Sequence, residues 1–332
     1  MTVPSTVLDP PFNITRASHI VISTADLSAS RDFYVEVIGL VVSDEDADAV
    51  YLRGVEESCH HSLVLEKATG DRYCRRIGLR AYTEDDLAKA KRHFDAEGRP
   101  AEWVERPFQG KTLHVADEAG VPLELCATME RRPRLHLNFE LQRGAGALRF
   151  DHFQLLAPDV HAASAFYTAL GFRISDYFTD DDHDGYLFGA FLHRKSNPHD
   201  RVFLTRLGPQ MHHFAYIVPE SQNLFRACDI AGNIGLAHTI ERGPGRHGQG
   251  HALYVYFRDP DGHRVEILPP PIQVVDIDEE PVGWEQKVRF TWGLPPPHSW
   301  LYESTPFPGV VMREPPIQQH LMSLESFYAQ RG

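Results

Sequence analysis

The sequence predicts an α+β fold of two tandem domains, each made of two βαβββ modules, followed by a C-terminal tail or lid. Three observations carry this. A strand that runs into a capped helix occurs at residues 12–39 and again at 150–171. A second helix and an Asp-Gly hairpin follow in the same order after each copy, as they do when a chain repeats one template. From Pro269 onward the chain shares no period with what precedes it. The repeat covers roughly 12–130 and 145–270, and the predicted divisions are 1–140, 141–270 and 271–332.

The first strand, around His19, Ile20, Val21 and Ile22, passes into a helix with Asp26 as its N-cap and Gly39 as its stop. A short carboxylate accepts from the unpaired amides of a first turn, and glycine adopts the left-handed conformation that ends a helix. In the second copy Asp159 caps Val160 to Leu170 and Gly171 closes it. In both copies the cap lies seven residues after a histidine, His19 or His152. The second helices are predicted between Thr83 and Gly98 and between Ser221 and Gly232, each capped and closed by glycine. Asp117 to Glu124 and Asp259 to Glu266 read as strand, Asp-Gly turn and strand. Residues 131–149, with Arg131, Arg132, Pro133 and the Gly144-Ala-Gly146 step, read as the connection. Two modules with one apolar sheet face each are expected to close around a cavity. The tail holds Trp284, Trp292 and Trp300 among prolines, a composition that wraps a domain or covers a pocket.

With 332 residues, 42% of them hydrophobic, the chain can bury a core in each domain. A formal charge of −13 disfavours nucleic acid and anionic membranes as partners, and makes an anionic substrate depend on local arginines. No apolar run reaches membrane-spanning length, and Met1 to Ser5 open no basic-then-apolar leader, so a cytoplasmic protein is expected. Cys59, Cys74, Cys126 and Cys228 are scattered without a Cys-x-x-Cys pair, which points to reduced thiols.

The chemistry is concentrated between Asp151 and Glu266. His152, the His212-His213 pair and Glu266 fall on separate predicted strands, and two imidazoles with one carboxylate suit a divalent first-row metal with open positions. Strand alternation sends His212 and His213 to opposite faces, so only one is expected to reach the cavity. Overlaying the repeats puts His19 on His152 and Glu124 on Glu266 but Ile77 on His213, so the first domain is expected to lack the metal. His60 falls on His199, which is either a proton shuttle near neutral pH or a surface histidine of the Lys195–Asp200 loop. Ile240 to His251 reads as an irregular glycine- and proline-fixed loop whose Arg242, Arg246 and His247 offer donors, or as a solvated basic turn. Tyr254 and Tyr256 share one strand face.

These strings together name a family. His152-Phe, Leu192-His-Arg-Lys195 with His199-Asp200, His212-His213, Glu241-Arg-Gly-Pro-Gly-Arg-His-Gly248, Tyr254-Val-Tyr256 and the Asp-Pro-Asp-Gly-His-Arg-Val-Glu run ending at Glu266 resemble the extradiol ring-cleaving dioxygenases of the vicinal oxygen chelate superfamily. The branch acting on homoprotocatechuate (3,4-dihydroxyphenylacetate) is the most similar, and the likeness extends to Arg289-Phe-Thr-Trp-Gly and Ser299-Trp300 in the tail. The resemblance implies that His152, His213 and Glu266 bind Fe(II), or Mn(II) in some members. It makes His199 the acid/base, Tyr256 a donor to a substrate oxygen and His247 a substrate contact, with Arg242 and Arg289 on a substrate carboxylate. The implied reaction joins O2 to a catechol, 3,4-dihydroxyphenylacetate giving 5-carboxymethyl-2-hydroxymuconate semialdehyde, in a homo-oligomer, commonly a tetramer. Gln154 stands where these relatives have Asn and Phe191 where they have Trp, both against the substrate. The superfamily also holds glyoxalase-type isomerases and antibiotic-binding proteins. A zinc hydrolase has no support here, since no His-Glu-x-x-His helix occurs.

Overall fold

A computed structural model describes residues 3–317 except 181, 182, 184, 198 and 285–289. The first half runs β1 (Ile14–Thr24), α1 (Leu27–Phe33), β2 (Val41–Glu45), β3 (Ala49–Arg53), β4 (Leu63–Lys67), β5 (Cys74–Ala81), α2 (Glu84–Ala96), β6 (Glu102–Val104), β7 (Thr112–Ala116) and β8 (Pro122–Cys126). The second runs β9 (Arg149–Ala157), α3 (Val160–Ala169), β10 (Arg173–Asp180), β11 (Tyr186–His193), β12 (Arg201–Thr205), β13 (Gln210–Ile217), α4 (Gln222–Asn233), β14 (Ile240–His247), β15 (Leu253–Arg258) and β16 (Arg264–Leu268).

The two sheets have one topology. Strand order is β2-β3-β4-β1-β5-β8-β7-β6 in the first and β10-β11-β12-β9-β13-β16-β15-β14 in the second. Within each module the last strand returns parallel to the first, β4 on β1, β8 on β5, β12 on β9 and β16 on β13. The modules then meet along antiparallel central pairs, β1 with β5 and β9 with β13. Each helix turns one apolar stripe inward: Leu87, Ala90 and Phe94 of α2, Val160, Ala163 and Tyr167 of α3, Leu224, Ala227 and Ala231 of α4. Burying a Leu- or Phe-sized side chain is worth about 1.5–3 kcal/mol, so these stripes fix the helices to the sheets.

The halves are fastened by the repeated hairpin. Tyr34, eight residues after the Asp26 cap, donates to the Asp259 carboxylate at 2.9 Å, and Tyr167, eight after Asp159, donates to Asp117 at 2.9 Å. Thus the first helix of each half bonds to the Asp-Gly turn of the other. The same aspartates shape their own turns: Asp117 accepts from the amides of Ala119 and Val121, and Asp259 from those of Asp261 and His263.

The predicted caps form at Asp26, Thr83 and Asp159. Ser221 differs. Its backbone is already helical and its hydroxyl makes no cap bond; α4 runs through Gly232, and the left-handed glycine that ends it is Gly235. Ile240–His247 is also not a loop. It pairs as strand β14 with β15, with irregular register between Ile240 and Gly245. The glycines that hide it from a propensity reading are needed for contact: a Cβ on Gly245 would lie 2.4 Å from the Tyr254 hydroxyl oxygen.

The tail wraps the second sheet. β17 (Val282–Trp284) extends it beside β10, β18 (Phe290–Trp292) beside β14, and β19 (Thr305–Pro306) pairs with β13. Exposed edges invite pairing with other chains, and the tail covers both. Between β18 and β19 the short helix α5 (His298–Tyr302) packs Trp300 on Tyr254 and Tyr256. Among the described residues no helix is long and apolar enough to cross a membrane.

Candidate metal centre

His152, His213 and Glu266 sit on β9, β13 and β16, three neighbours in the sheet. Adjacent strands lie about 4.8 Å apart, so long side chains from one face converge. Here they meet at one point: His152 Nε2 and His213 Nε2 are 3.3 Å apart, and each lies 3.2 and 3.1 Å from the same Glu266 oxygen. All three are at most 3% exposed.

Tautomers decide what this cluster accepts. His152 Nδ1 donates to Asp151 Oδ2 at 2.8 Å, so Nε2 is the lone pair of the neutral ring. Asp151 is itself held by the Asn197 amide and the Lys195 ammonium, contacts that the sequence reading missed. On the other side, His212 Nε2 donates to the Trp300 carbonyl at 3.0 Å, so its Nδ1 accepts from His213 Nδ1 at 2.8 Å and His213 Nε2 is also bare. With both rings neutral, two imidazole lone pairs and a carboxylate oxygen converge, a donor set that fits a cation. Outer partners of this kind orient metal-binding imidazoles. Burial pushes the His152 imidazole down, but Asp151 and Glu266 outweigh it and raise it to about 9; burial lowers His213 to about 4. The two carboxylates therefore favour a positive charge at this point, a proton on His152 or a divalent ion in its place.

The pairing register explains why His212 is near the site at all. Met211 and His213 face the consecutive residues Leu155 and Gln154, so β13 bulges at His212 and alternation fails there. His212 lies beside the cluster, with the Gln154 amide 3.2 Å from its Nδ1.

Around the cluster, His199 is buried with its ring 4.2 Å from that of His152 and 5.3 Å from Phe191. Its Nδ1 has no hydrogen-bond partner among the described residues, and burial holds it well below the ordinary imidazole range, hence neutral. Tyr256 Oη lies 2.9 Å from His247 Nε2, whose ring stacks on Tyr254 at 4.1 Å. Burial lowers His247 to about 3 and keeps the Tyr256 phenol protonated. The buried Arg242 guanidinium lies 4.5 Å over Trp300 and 5.0 Å over Tyr254. Arg289 falls outside the described residues.

A charged clasp holds the tail in place. Glu241 accepts from Arg258 at 2.9 Å, from Arg264 at 2.9 Å and from the Ser299 hydroxyl at 2.7 Å. Arg264 reaches on to the carbonyls of His212 and Ser299. Arg264 and Glu241 stand in the two sequence motifs, which do not by themselves disclose that these residues anchor Ser299 beside Trp300.

The corresponding place in the first half is filled. Glu124 receives His19 at 2.8 Å, His114 at 2.7 Å, Gln109 at 2.7 Å and Arg106 at 3.3 Å; Arg76, not the expected Ile77, takes the place of His213, since Val21 opposes Arg76 as Gln154 opposes His213. Among the described residues, the groups of three able to hold an ion are His152–His213–Glu266 and Asp151–His152–His199, both in the second half.

The model of the Glyoxalase/Bleomycin resistance protein/Dioxygenase superfamily matches residues 16–125 and 149–267. The chain is similar over 96% of its length to an extradiol ring-cleaving dioxygenase from B. fuscum, covering 91% of that chain with a TM-score of 0.89 at 33% identity. The anaerobic complex of homoprotocatechuate 2,3-dioxygenase from Brevibacterium fuscum with 3,4-dihydroxyphenylacetate gives a TM-score of 0.86 at 34% identity, covering 92% of this chain and 96% of that one. The manganese-dependent 2,3-dihydroxybiphenyl 1,2-dioxygenase of Geobacillus genomosp. 3 is 27% identical over 290 residues, 82% of this chain and 90% of that protein. The chain belongs to the Glyoxalase/Bleomycin resistance protein/Dioxygenase superfamily. Within it, the chain is an extradiol ring-cleaving dioxygenase, an oxidoreductase of a group that works with Fe(II) or Mn(II).

Proposed function

We propose that the chain opens the ring of a catechol bearing a carboxylate side chain, 3,4-dihydroxyphenylacetate being the best candidate, at a metal held by His152, His213 and Glu266. One catechol and one O2 combine, both oxygen atoms entering the muconic semialdehyde product. The observation that carries this is the trio of two imidazole nitrogens and a carboxylate oxygen packed within 3.3 Å of one another. Bound there, Fe(II) or Mn(II) acidifies a coordinated diol and lets electron density pass from it to O2.

The protein's part is placement and proton handling. Neutral, buried His199 takes a hydroxyl proton as the diol binds and returns it when the O–O bond parts. Tyr256 donates its phenol hydrogen to a ring oxygen, and His247, its partner at 2.9 Å, steers that hydrogen. Arg242, 4.5 Å over Trp300, takes the substrate carboxylate, a role the family pattern also gives to Arg289, which lies outside the described residues, while Gln154 and Phe191 bound the ring. The first half carries no metal in this reading, its carboxylate being saturated by four donors. Anaerobic loading with Fe(II) or Mn(II), followed by air and a panel of catechols with and without carboxylates, tests the proposal. A yellow ring-fission product from the acidic catechols supports it, and bound ligand without colour contradicts it.

A further inference from the structure

A second cavity, of about 420 Å³, lies where the two halves meet. Its wall takes Arg16 and Arg80 from β1 and β5, Arg131 and Arg134 from the connection, and Arg149 and Lys195 from the second half. That is six cations on one wall in a chain of formal charge −13. Two carboxylates also line it, one paired with a cation of the same wall and the other taken by neighbouring amides and a hydroxyl. Glu56 pairs with Arg149 at 2.8 Å, and Glu57 accepts from the Gly54 amide at 2.7 Å, the Phe150 amide at 3.2 Å and the Ser62 hydroxyl at 2.6 Å. Lys195 is engaged by Asp200 at 3.1 Å.

Four guanidiniums remain. Arg16 donates to the neighbouring Ala17 carbonyl at 2.8 Å and Arg80 to the Ala127 carbonyl at 3.4 Å. Among the described residues none of Arg16, Arg80, Arg131 and Arg134 has a carboxylate partner. Arg16 and Arg80 are moreover direct cross-strand partners, and like charges facing each other across a ladder destabilise it. Arg149 precedes His152 by three residues as Arg16 precedes His19, so the contact between the halves brings one repeat position from each copy to a common wall. A repulsive cluster around a partly open cavity is relieved by an anion, and guanidinium forks match oxyanions with paired, charge-assisted hydrogen bonds.

We propose that this inter-domain cavity binds a small multivalent oxyanion, a phosphate or a dicarboxylate, apart from the catechol site. Calorimetric titration of the metal-loaded full chain at low salt, with inorganic phosphate in one arm and succinate in the other, tests it. The expected result is one anion per chain from at least one arm, with Kd raised about tenfold or more by the pair Arg16→Gln, Arg80→Gln. The exposed pair Arg131→Ala, Arg134→Ala should act in the same direction and removes no buried side chain. Absence of binding in both arms, affinity unchanged in both double variants, or binding abolished only by Arg242→Ala would overturn the proposal; the last outcome would put the anion at the metal centre.

Discussion

Asp151→Asn removes one charge and one acceptor while keeping the side chain's shape. The carboxylate accepts on both oxygens: Oδ2 takes His152 Nδ1 at 2.8 Å, and Oδ1 takes the Asn197 amide with Lys195 3.6 Å away. An amide has a single acceptor oxygen, so one side must face donor to donor. If it turns its oxygen to Asn197, His152 loses the partner that fixes its Nδ1 hydrogen and bares Nε2. A hydrogen bond to a charged group is worth about 1.5–3 kcal/mol, and loss of such an outer partner costs about 10- to 100-fold in metal affinity. The loop should survive, because Asp200 keeps Lys195 at 3.1 Å and accepts from the amides of Arg194 at 2.7 Å and Ala17 at 2.8 Å. Competition against a chromophoric chelator, anaerobic for Fe(II) and aerobic for Mn(II), should therefore show the metal Kd rising about 10- to 100-fold with little change in Tm. Unchanged affinity would refute the idea that Asp151 sets the state of His152.

His199→Phe should retain metal yet turn over about 10²- to 10⁴-fold more slowly in single-turnover absorbance measurements, while wild-type rates would remove its proton role. Arg242→Ala should raise KM for an acidic catechol about tenfold or more and spare catechol itself, and steady-state kinetics on both substrates reads the difference. Glu241 has a sign that can be worked out. Burial opposes its charge, but Arg264 and Arg258 outweigh it and lower its carboxyl from 4.5 to about 2, so the stability it contributes is complete above about 4.5 and is lost as pH falls through about 2. Melting Glu241→Gln beside the parent should show a Tm deficit of a few degrees at pH 7 that shrinks toward pH 3, and a deficit independent of pH would assign the loss to packing.

Much of this was legible from the sequence, because a repeated fold checks itself. The spacing from His19 to Asp26 recurs from His152 to Asp159, so the overlay aligned β1 with β9 and the two Asp-Gly hairpins, but it slipped by one residue on β5, where Arg76 and not Ile77 is the counterpart of His213. What escaped was whatever depends on a neighbour distant in the chain. The carbonyl that fixes the His212 hydrogen belongs to Trp300, 88 residues away in a segment without period. The alternation rule failed at His212 because β13 bulges there, a register fact that no single strand discloses. Strand β14 looked irregular because Gly243 and Gly245 lower strand propensity, although those positions are small to admit Tyr254. The pairing of Tyr34 with Asp259 and of Tyr167 with Asp117 was invisible until the two copies faced each other.

The most direct measurement is anaerobic Fe(II) binding counted per chain for the parent and for His213→Ala, with ring-fission activity on the same samples. One ion per parent chain, with ion and activity both lost in His213→Ala, is the expected result. Two ions per parent chain, or an ion retained with activity in His213→Ala, would contradict a single reactive centre built on His152, His213 and Glu266.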